Sequence, residues 1–435
     1  MPSRPAAARS SSKSSPDTGP AQLLIAARLA RSIGQGALVV DFSLYLHQLH
    51  WTAVQISLIL AITLLVGATL TMLVGPLSDR IGRRQFLMWF EAAQALAALL
   101  ACFSANPWLL GPAAVIGGFG RGGNGSAGPF APVEQAWLAQ GVPADRRGRV
   151  YSLNAASGFI GMALGALLAA LPARLGAWLP GALAFRPLFA IALLGSLICM
   201  ALLARAPDSE ARAGRRDAVA ARQAPAQPIQ TAQPQPQPAS TDEAALLRRE
   251  NGLLLRLGLV NAVNGIGVGL TGPLMSYWFA IRYGEGPGLI GPMMALGFLL
   301  AGLSSLLAGR LTARLGIVRT VVLMRLAGLV LFVALPFAPS FGIAAALYTL
   351  RNLCNRGTAG VRNALSAGLV RPSRRGLAAS IANVSLQIPR SIGPVFAGML
   401  FQAGYLGLPF IIGAVFQAGF VYLYHRHFDN VEMHP

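Results

Sequence analysis

The stretch Gly75-Pro76-Leu77-Ser78-Asp79-Arg80-Ile81-Gly82-Arg83-Arg84 decides the fold. It separates two apolar runs, residues 53–74 and 86–103, each long enough to cross the hydrocarbon core of a bilayer. Four charges in ten residues cannot lie in lipid, so the stretch reads as a tight hairpin on one membrane face. Its excess of arginine assigns that face to the cytoplasm by the positive-inside rule.

Composition carries the same message outward along the chain. Of 435 residues, 54% are hydrophobic and only 11% charged, with a mean hydropathy of +0.56, too apolar for a soluble globule. The net charge of +20 invites a polyanion-binding reading, but such a reading needs the charge clustered on one exposed face. Here the arginines punctuate apolar runs, at residues 80–84, 146–149, 205–222, 248–249, 310–319 and 371–375, which are alternate connections. That asymmetry is orientation information and needs no nucleic acid. Cys102, Cys199 and Cys354 lie inside apolar runs without paired spacing, so neither disulfides nor a metal site is expected.

In order, residues 1–20 form an expected cytoplasmic tail, rich in Ser, Ala, Pro and Arg. Six spans follow within 21–205, at about residues 23–46, 53–74, 86–103 and 109–138, then a fifth that ends at about 171 and a sixth that ends near 204. Residues 206–250, with a Gln/Pro alternation over 223–238, have nothing to bury and read as a solvated cytoplasmic linker. Six more spans within 251–428, at about 253–281, 289–307, 321–337, 341–370, 377–401 and 408–424, leave a short cytoplasmic tail at 429–435. Twelve spans put both termini on the arginine-rich side. The halves repeat: Gly309, Leu311, Arg314 and Gly316 fall 234 positions after Gly75, Leu77, Arg80 and Gly82, while Arg374, Arg375, Gly376 and Gly393 fall 228 after Arg146, Arg147, Gly148 and Gly165. Ala313 stands opposite Asp79 in that register.

The pattern Gly-x-Leu-small-Asp-Arg-x-Gly-Arg-Arg, carried by Gly75, Leu77, Asp79, Arg80, Gly82, Arg83 and Arg84, resembles the loop signature of the major facilitator superfamily. The resemblance implies an all-α polytopic membrane protein with twelve transmembrane helices in two pseudo-symmetric six-helix bundles. It also implies a substrate site between the bundles near the bilayer midplane. It makes Asp79 an inner gate that contacts the start of the eleventh helix when the transporter faces outward. It pairs Arg83 with an acid at the inner end of the fourth helix, for which Glu134 is placed. The run Arg121-Gly-Gly-Asn124-Gly125 resembles the family's fourth-helix motif, whose arginine is implicated in proton transfer in proton-coupled members, though Arg121 could equally bind substrate. The antiporter motif of the fifth helix is reduced to Gly165-Ala-Leu-Leu-Ala-Ala, with a closer form, Gly393-Pro394-Val-Phe-Ala397-Gly398, in the eleventh.

Ionisable residues at membrane depth supply the remaining candidates. Arg28, Arg31, Arg256, Arg325 and Arg362 are within reach of the cytoplasmic interface and are expected to snorkel. Arg121, Arg351, Arg356 and Arg390 are deeper, and an unpaired arginine there costs at least about 2.5–3.5 kcal/mol. Against them stand only Asp41, Glu91 and Glu134. Guanidinium groups in surplus between the halves suit a carboxylate or phosphate; pairing with helix-end carbonyls or with Asp41 is the alternative. Asp41 is the expected coupling residue, because apolar surroundings suit an acid that carries a proton, unless it pairs with an arginine on a neighbouring helix. Asn261, Asn264 and the glycines around them make the seventh span bendable and cavity-lining. No catalytic triad, nucleotide loop or metal-spaced cluster is present. The expectation is therefore a monomeric, cofactor-free, proton-coupled exporter of a small anionic solute in a bacterial inner membrane. A hydrophobic-drug exporter or an anion importer of the same fold is the alternative.

Overall fold

A single residue turns the chain between its second and third helices. Ala53–Ile81 (α2) runs through the charged stretch to its end, Gly82 takes φ 95°, and Arg83–Phe103 (α3) starts at once. The hairpin is thus tighter than the sequence suggests: residues 75–81 are helical, Gly75 lies inside α2, and Gly82 alone makes the turn. Only glycine adopts that φ cheaply. Gly316, 234 positions later, repeats the device with φ 81° between Pro287–Leu315 (α11) and Ile317–Ala334 (α12).

The computed structural model describes residues 19–121, 128–142, 144–206, 241–371, 374–429 and 431. Asn124, the expected tail up to residue 18, most of the expected linker, and the side chain of Asp79 lie outside the described residues. The remaining helices are Gly19–Gln48 (α1), Pro107–Gly117 (α4), Phe130–Gly141 (α5), Ala144–Leu168 (α6), Leu171–Leu175 (α7), Arg186–Arg205 (α8), Thr241–Thr271 (α9), Met275–Tyr283 (α10), Phe341–Arg356 (α13), Thr358–Gly368 (α14), Arg375–Gln402 (α15) and Leu408–Phe428 (α16). Helix α9 already begins at Thr241, inside the stretch expected to be linker.

Among the described residues, nine helices are long and apolar enough to cross a bilayer, against twelve expected spans. Two of the others are interrupted, and each break has a cause. The chain leaves α4 at Gly118 in the left-handed region, and Pro129 precedes α5. The break between α13 and α14 falls at Gly357, which packs so closely on Ser304 of α11 that no side chain would fit. The Ser304 hydroxyl donates to the Leu353 carbonyl, satisfying a backbone group near the break as lipid would not. The third, α15, has 28 residues but carries Arg375, Asn383, Gln387 and Arg390.

The two halves are built alike. In the first, α1 packs along α6 and α8; in the second, α9 packs along α15 and α16. Gly165 of α6 meets the backbone of α1 at Ile33, Gly36 and Ala37, and Gly393 of α15 meets α9 at Gly269 and Leu270. These matching approaches put Gly36 and Ala37 in register with Gly269 and Leu270, an offset of 233. A Cβ on Gly165 would stand 2.7 Å from the Ala37 nitrogen and 2.9 Å from the Gly36 Cα. Gly165→Val is therefore expected to cost about 1–3 kcal/mol by overpacking, read as a lower unfolding temperature. A variant as stable as the parent would show that the seam can yield.

The halves meet along two seams, α2 with α15 and α6 with α11. At the arginine-poor end, the Val54 amide donates to Gln402 Oε1 at 3.3 Å, and the His47 and Tyr277 rings stack edge-on at 5.3 Å. Gly291 sits against the backbone of Ala166 and Ala170. At the arginine-rich end, a Cβ placed on Gly148, Gly309 or Gly376 would meet nothing within 4 Å. There the second half is tied to itself: Glu250 of α9 accepts from the Arg371 amide at 3.0 Å and from Arg374 Nη1 at 2.7 Å.

Candidate functional site

Helix α1 carries two arginines one turn apart, and both are buried. Arg28 pairs with Glu134 of α5. Arg31 pairs with Glu91 of α3 at 2.6 Å and lies over the Phe130 ring at 4.6 Å. The expectation that these arginines snorkel is overturned: two carboxylates with no exposed surface hold them inside the bundle. The pairing of Glu134 with Arg83 is overturned as well. Glu134 is taken by Arg28, and Arg83 Nη1 donates to the Ala136 carbonyl at 3.1 Å, on the same helix as Glu134. Arg84 donates to the Ala204 carbonyl, and Arg80 is exposed. A cavity with room for a water molecule adjoins the Arg31 pair, lined by Gln35, Gln94, Gly118 and Ser196 among others.

Glu91 and Glu134 are thus committed to α1, and neither serves the deeper arginines. Three of the four candidates come together in the second half. Arg351 of α13 is 8% exposed, stacks on Phe332 at 4.0 Å, and has a buried Nε without a hydrogen-bond partner. Arg356 lies over Phe298 at 5.1 Å and donates from Nε to Asn352 Oδ1 at 3.3 Å. Arg390 of α15 donates to Gln387 Oε1 at 3.4 Å. Arg356 lies within range of the charges of both Arg351 and Arg390.

The fourth candidate stands apart. Arg121 lies at the break after α4, packed on Gly67 of α2, and donates from Nη2 to the Val115 carbonyl at 3.3 Å. Its charged neighbour is Arg31 of the same half, so the four candidates do not converge on one point.

Asp41 of α1 is 1% exposed, and neither of its oxygens has a hydrogen-bond partner. No arginine pairs with it among the described residues. Asn261 donates to the Ala382 carbonyl at 3.4 Å, and Asn264 accepts from Arg325 Nη1 at 3.5 Å. Both amides are thereby turned toward neighbours in their own bundle. Arg325, also expected to snorkel, is buried instead, and Arg362 is half-buried. The repeat itself held the signal that was missed: Arg325 stands 234 positions after Glu91, and Arg362 stands 228 after Glu134.

Relatives share this architecture. The sequence pattern of the Major Facilitator Superfamily matches residues 24–254 and 257–430. An uncharacterized membrane protein of Saccharomyces cerevisiae, YJR124C, is 24% identical over 405 residues, covering 90% of each chain. A D-xylose-proton symporter superposes with a TM-score of 0.70 at 16% identity, over 95% of this chain and 98% of that one. A bacterial homologue of the human lysosomal transporter Spinster, inward-facing and unoccupied, gives 0.69 at 16% identity, over 96% and 98%. The human organic anion transporter MFSD10 gives 0.60 at 18% identity, over 93% and 99%. At these identities the structural likenesses establish a shared fold.

Proposed function

The chain belongs to the major facilitator superfamily, a family of membrane transporters, and from that premise we propose that it carries a small anionic solute by proton-coupled alternating access. The observation that carries this reading is the group Arg351, Arg356 and Arg390, set close in the second half while Glu91 and Glu134 are consumed in the first. Such a group suits a carboxylate or phosphate, and bidentate guanidinium bonds would fix its orientation. Asp41 is the proton carrier in this reading. Gly82, Arg80, Arg83 and Arg84, with Asp79, form the hinge and gate of the arginine-rich end, which we assign to the cytoplasm together with both termini. The halves then rock about seams closed on the outside, and the solute loads from within for export from a bacterial cell. We assign the work to a monomer. Nothing in the reading calls for a cofactor or a nucleic acid.

The test is flux in proteoliposomes under an imposed pH gradient, with a panel of organic and inorganic anions and lipophilic cations. Deleting one guanidinium that hydrogen-bonds the anion should weaken its binding by about 1.5–3 kcal/mol. Arg351→Ala and Arg390→Ala are thus expected to lower anion flux roughly ten- to a hundred-fold. Anion flux unchanged in both variants would overturn the assignment. Asp41, a lone acid in an apolar cluster, also suits an exporter of hydrophobic compounds, the second reading. That reading gains if lipophilic cations move and anions do not.

A further inference from the structure

The two halves carry opposite charge at matching places. In the first half Arg31 of α1 faces Glu91 of α3, and Arg28 of α1 faces Glu134 of α5. In the registers established by the turn glycines and the helix seams, Arg31 corresponds to Asn264, Glu91 to Arg325, Arg28 to Asn261 and Glu134 to Arg362. One of the two pairs keeps its hydrogen bond, while Asn261 turns to the Ala382 carbonyl. Arg325 reaches Asn264 at 3.5 Å as Glu91 reaches Arg31. It also takes Thr358 Oγ1 at 3.3 Å, and Thr358 stands 228 positions after Phe130, the ring under Arg31.

At these four positions the first bundle neutralises itself, with two carboxylates against two guanidiniums. The second bundle has two guanidiniums at the carboxylate positions and two neutral amides at the arginine positions. Among the described residues, the buried Arg325 donates hydrogen bonds to Asn264 and Thr358, both neutral. Arg362 lies within range of its charge, with a buried Nε that has no hydrogen-bond partner. Tyr424, 1% exposed, lies within electrostatic range of both arginines, and its hydroxyl has no partner either. No carboxylate pairs with either arginine among the described residues. A buried guanidinium such as Arg325 without a counter-charge is strongly unfavourable, and so is the buried Nε of Arg362 without an acceptor. The unused donors, Tyr424 Oη and Arg362 Nε, are what an anion would take up.

We propose that the second bundle binds a small inorganic anion between Arg325, Arg362 and Tyr424, where it does the work that Glu91 and Glu134 do in the first. The walls of this site, Leu365, Phe420, Val421 and Phe428, are apolar and buried. Arg325 lies within range of the charge of Arg351, but the site uses none of Arg351, Arg356 and Arg390 and does not rest on the transport reading. Its occupant is structural, and it stays with the bundle as the halves move.

The experiment compares thermal unfolding of the full-length purified protein in chloride and in gluconate at equal ionic strength, so that general screening is constant. Chloride is expected to raise the unfolding temperature by a few degrees in a saturable way, as binding to the folded state requires. Tyr424→Phe should raise the half-saturating chloride concentration about ten-fold, the loss of one hydrogen bond to a charge. The double variant Asn264→Arg with Arg325→Glu rebuilds the Arg31–Glu91 arrangement, and it should be stable in gluconate and no longer respond to chloride. Equal stability of the parent in both salts would overturn the proposal. So would a Tyr424→Phe half-saturation equal to the parent's, or an undiminished chloride response in the double variant. Anion transport could fail in every assay while this dependence stands, and the reverse holds equally.

Discussion

Replacing Glu134 with alanine is expected to destabilise the folded protein by about 3–5 kcal/mol, because it removes one partner of a buried ion pair. Arg28 is 4% exposed and lies against α5. Glu91→Ala should do comparable damage through Arg31, softened by Gln94 Oε1 at 3.3 Å and by the Phe90 and Phe130 rings. The measurement is the unfolding temperature in detergent or nanodiscs. The decisive control is Arg28→Met with Glu134→Leu. Removing both charges for apolar groups of similar size should recover most of the loss, since a buried pair contributes little net stability while a broken one costs much. A Glu134→Ala variant within about 1 kcal/mol of the parent would mean that water or another group reaches Arg28.

Asp41→Asn should abolish accumulation driven by a pH gradient while leaving exchange at equal pH in place. Asparagine keeps the size and shape but can carry no proton. An ionised carboxylate buried without a donor is far costlier than an acid that keeps its proton, and Asp41 is buried with no donor at either oxygen. Proteoliposomes loaded at one pH and diluted into another give the ratio of driven to undriven flux. That ratio should fall to about one in the variant, and a variant that retains the parent's ratio would remove Asp41 from the coupling.

Most of the apolar runs, the likeness of the two halves and the place of the turn between α2 and α3 were legible in the sequence, because each follows from a strong one-dimensional rule. Charge cannot lie in lipid, apolar runs of sufficient length span it, and a glycine is needed where φ turns positive. The details that depend on facing were not. Counting residues from the interface puts Arg28 and Arg31 near water, yet rotation of α1 about its axis turns both toward Glu91 and Glu134. The same count treats Arg121 and Arg351 as alike. One sits at the break after α4 beside Arg31 and the other against Phe332, because different helices lie behind them. The interruptions at Gly118 and Gly357 were hidden too, since long apolar runs read as continuous.

The Glu250 clasp carries one further consequence. By gripping both Arg371 and Arg374, it fastens the first turns of α9 to the corner where α14 hands over to α15. A tug, a docked protein or an added charge on the chain just ahead of Thr241 would be felt at that corner. The segment joining the two bundles thus ends in a lever, with its fulcrum at a carboxylate.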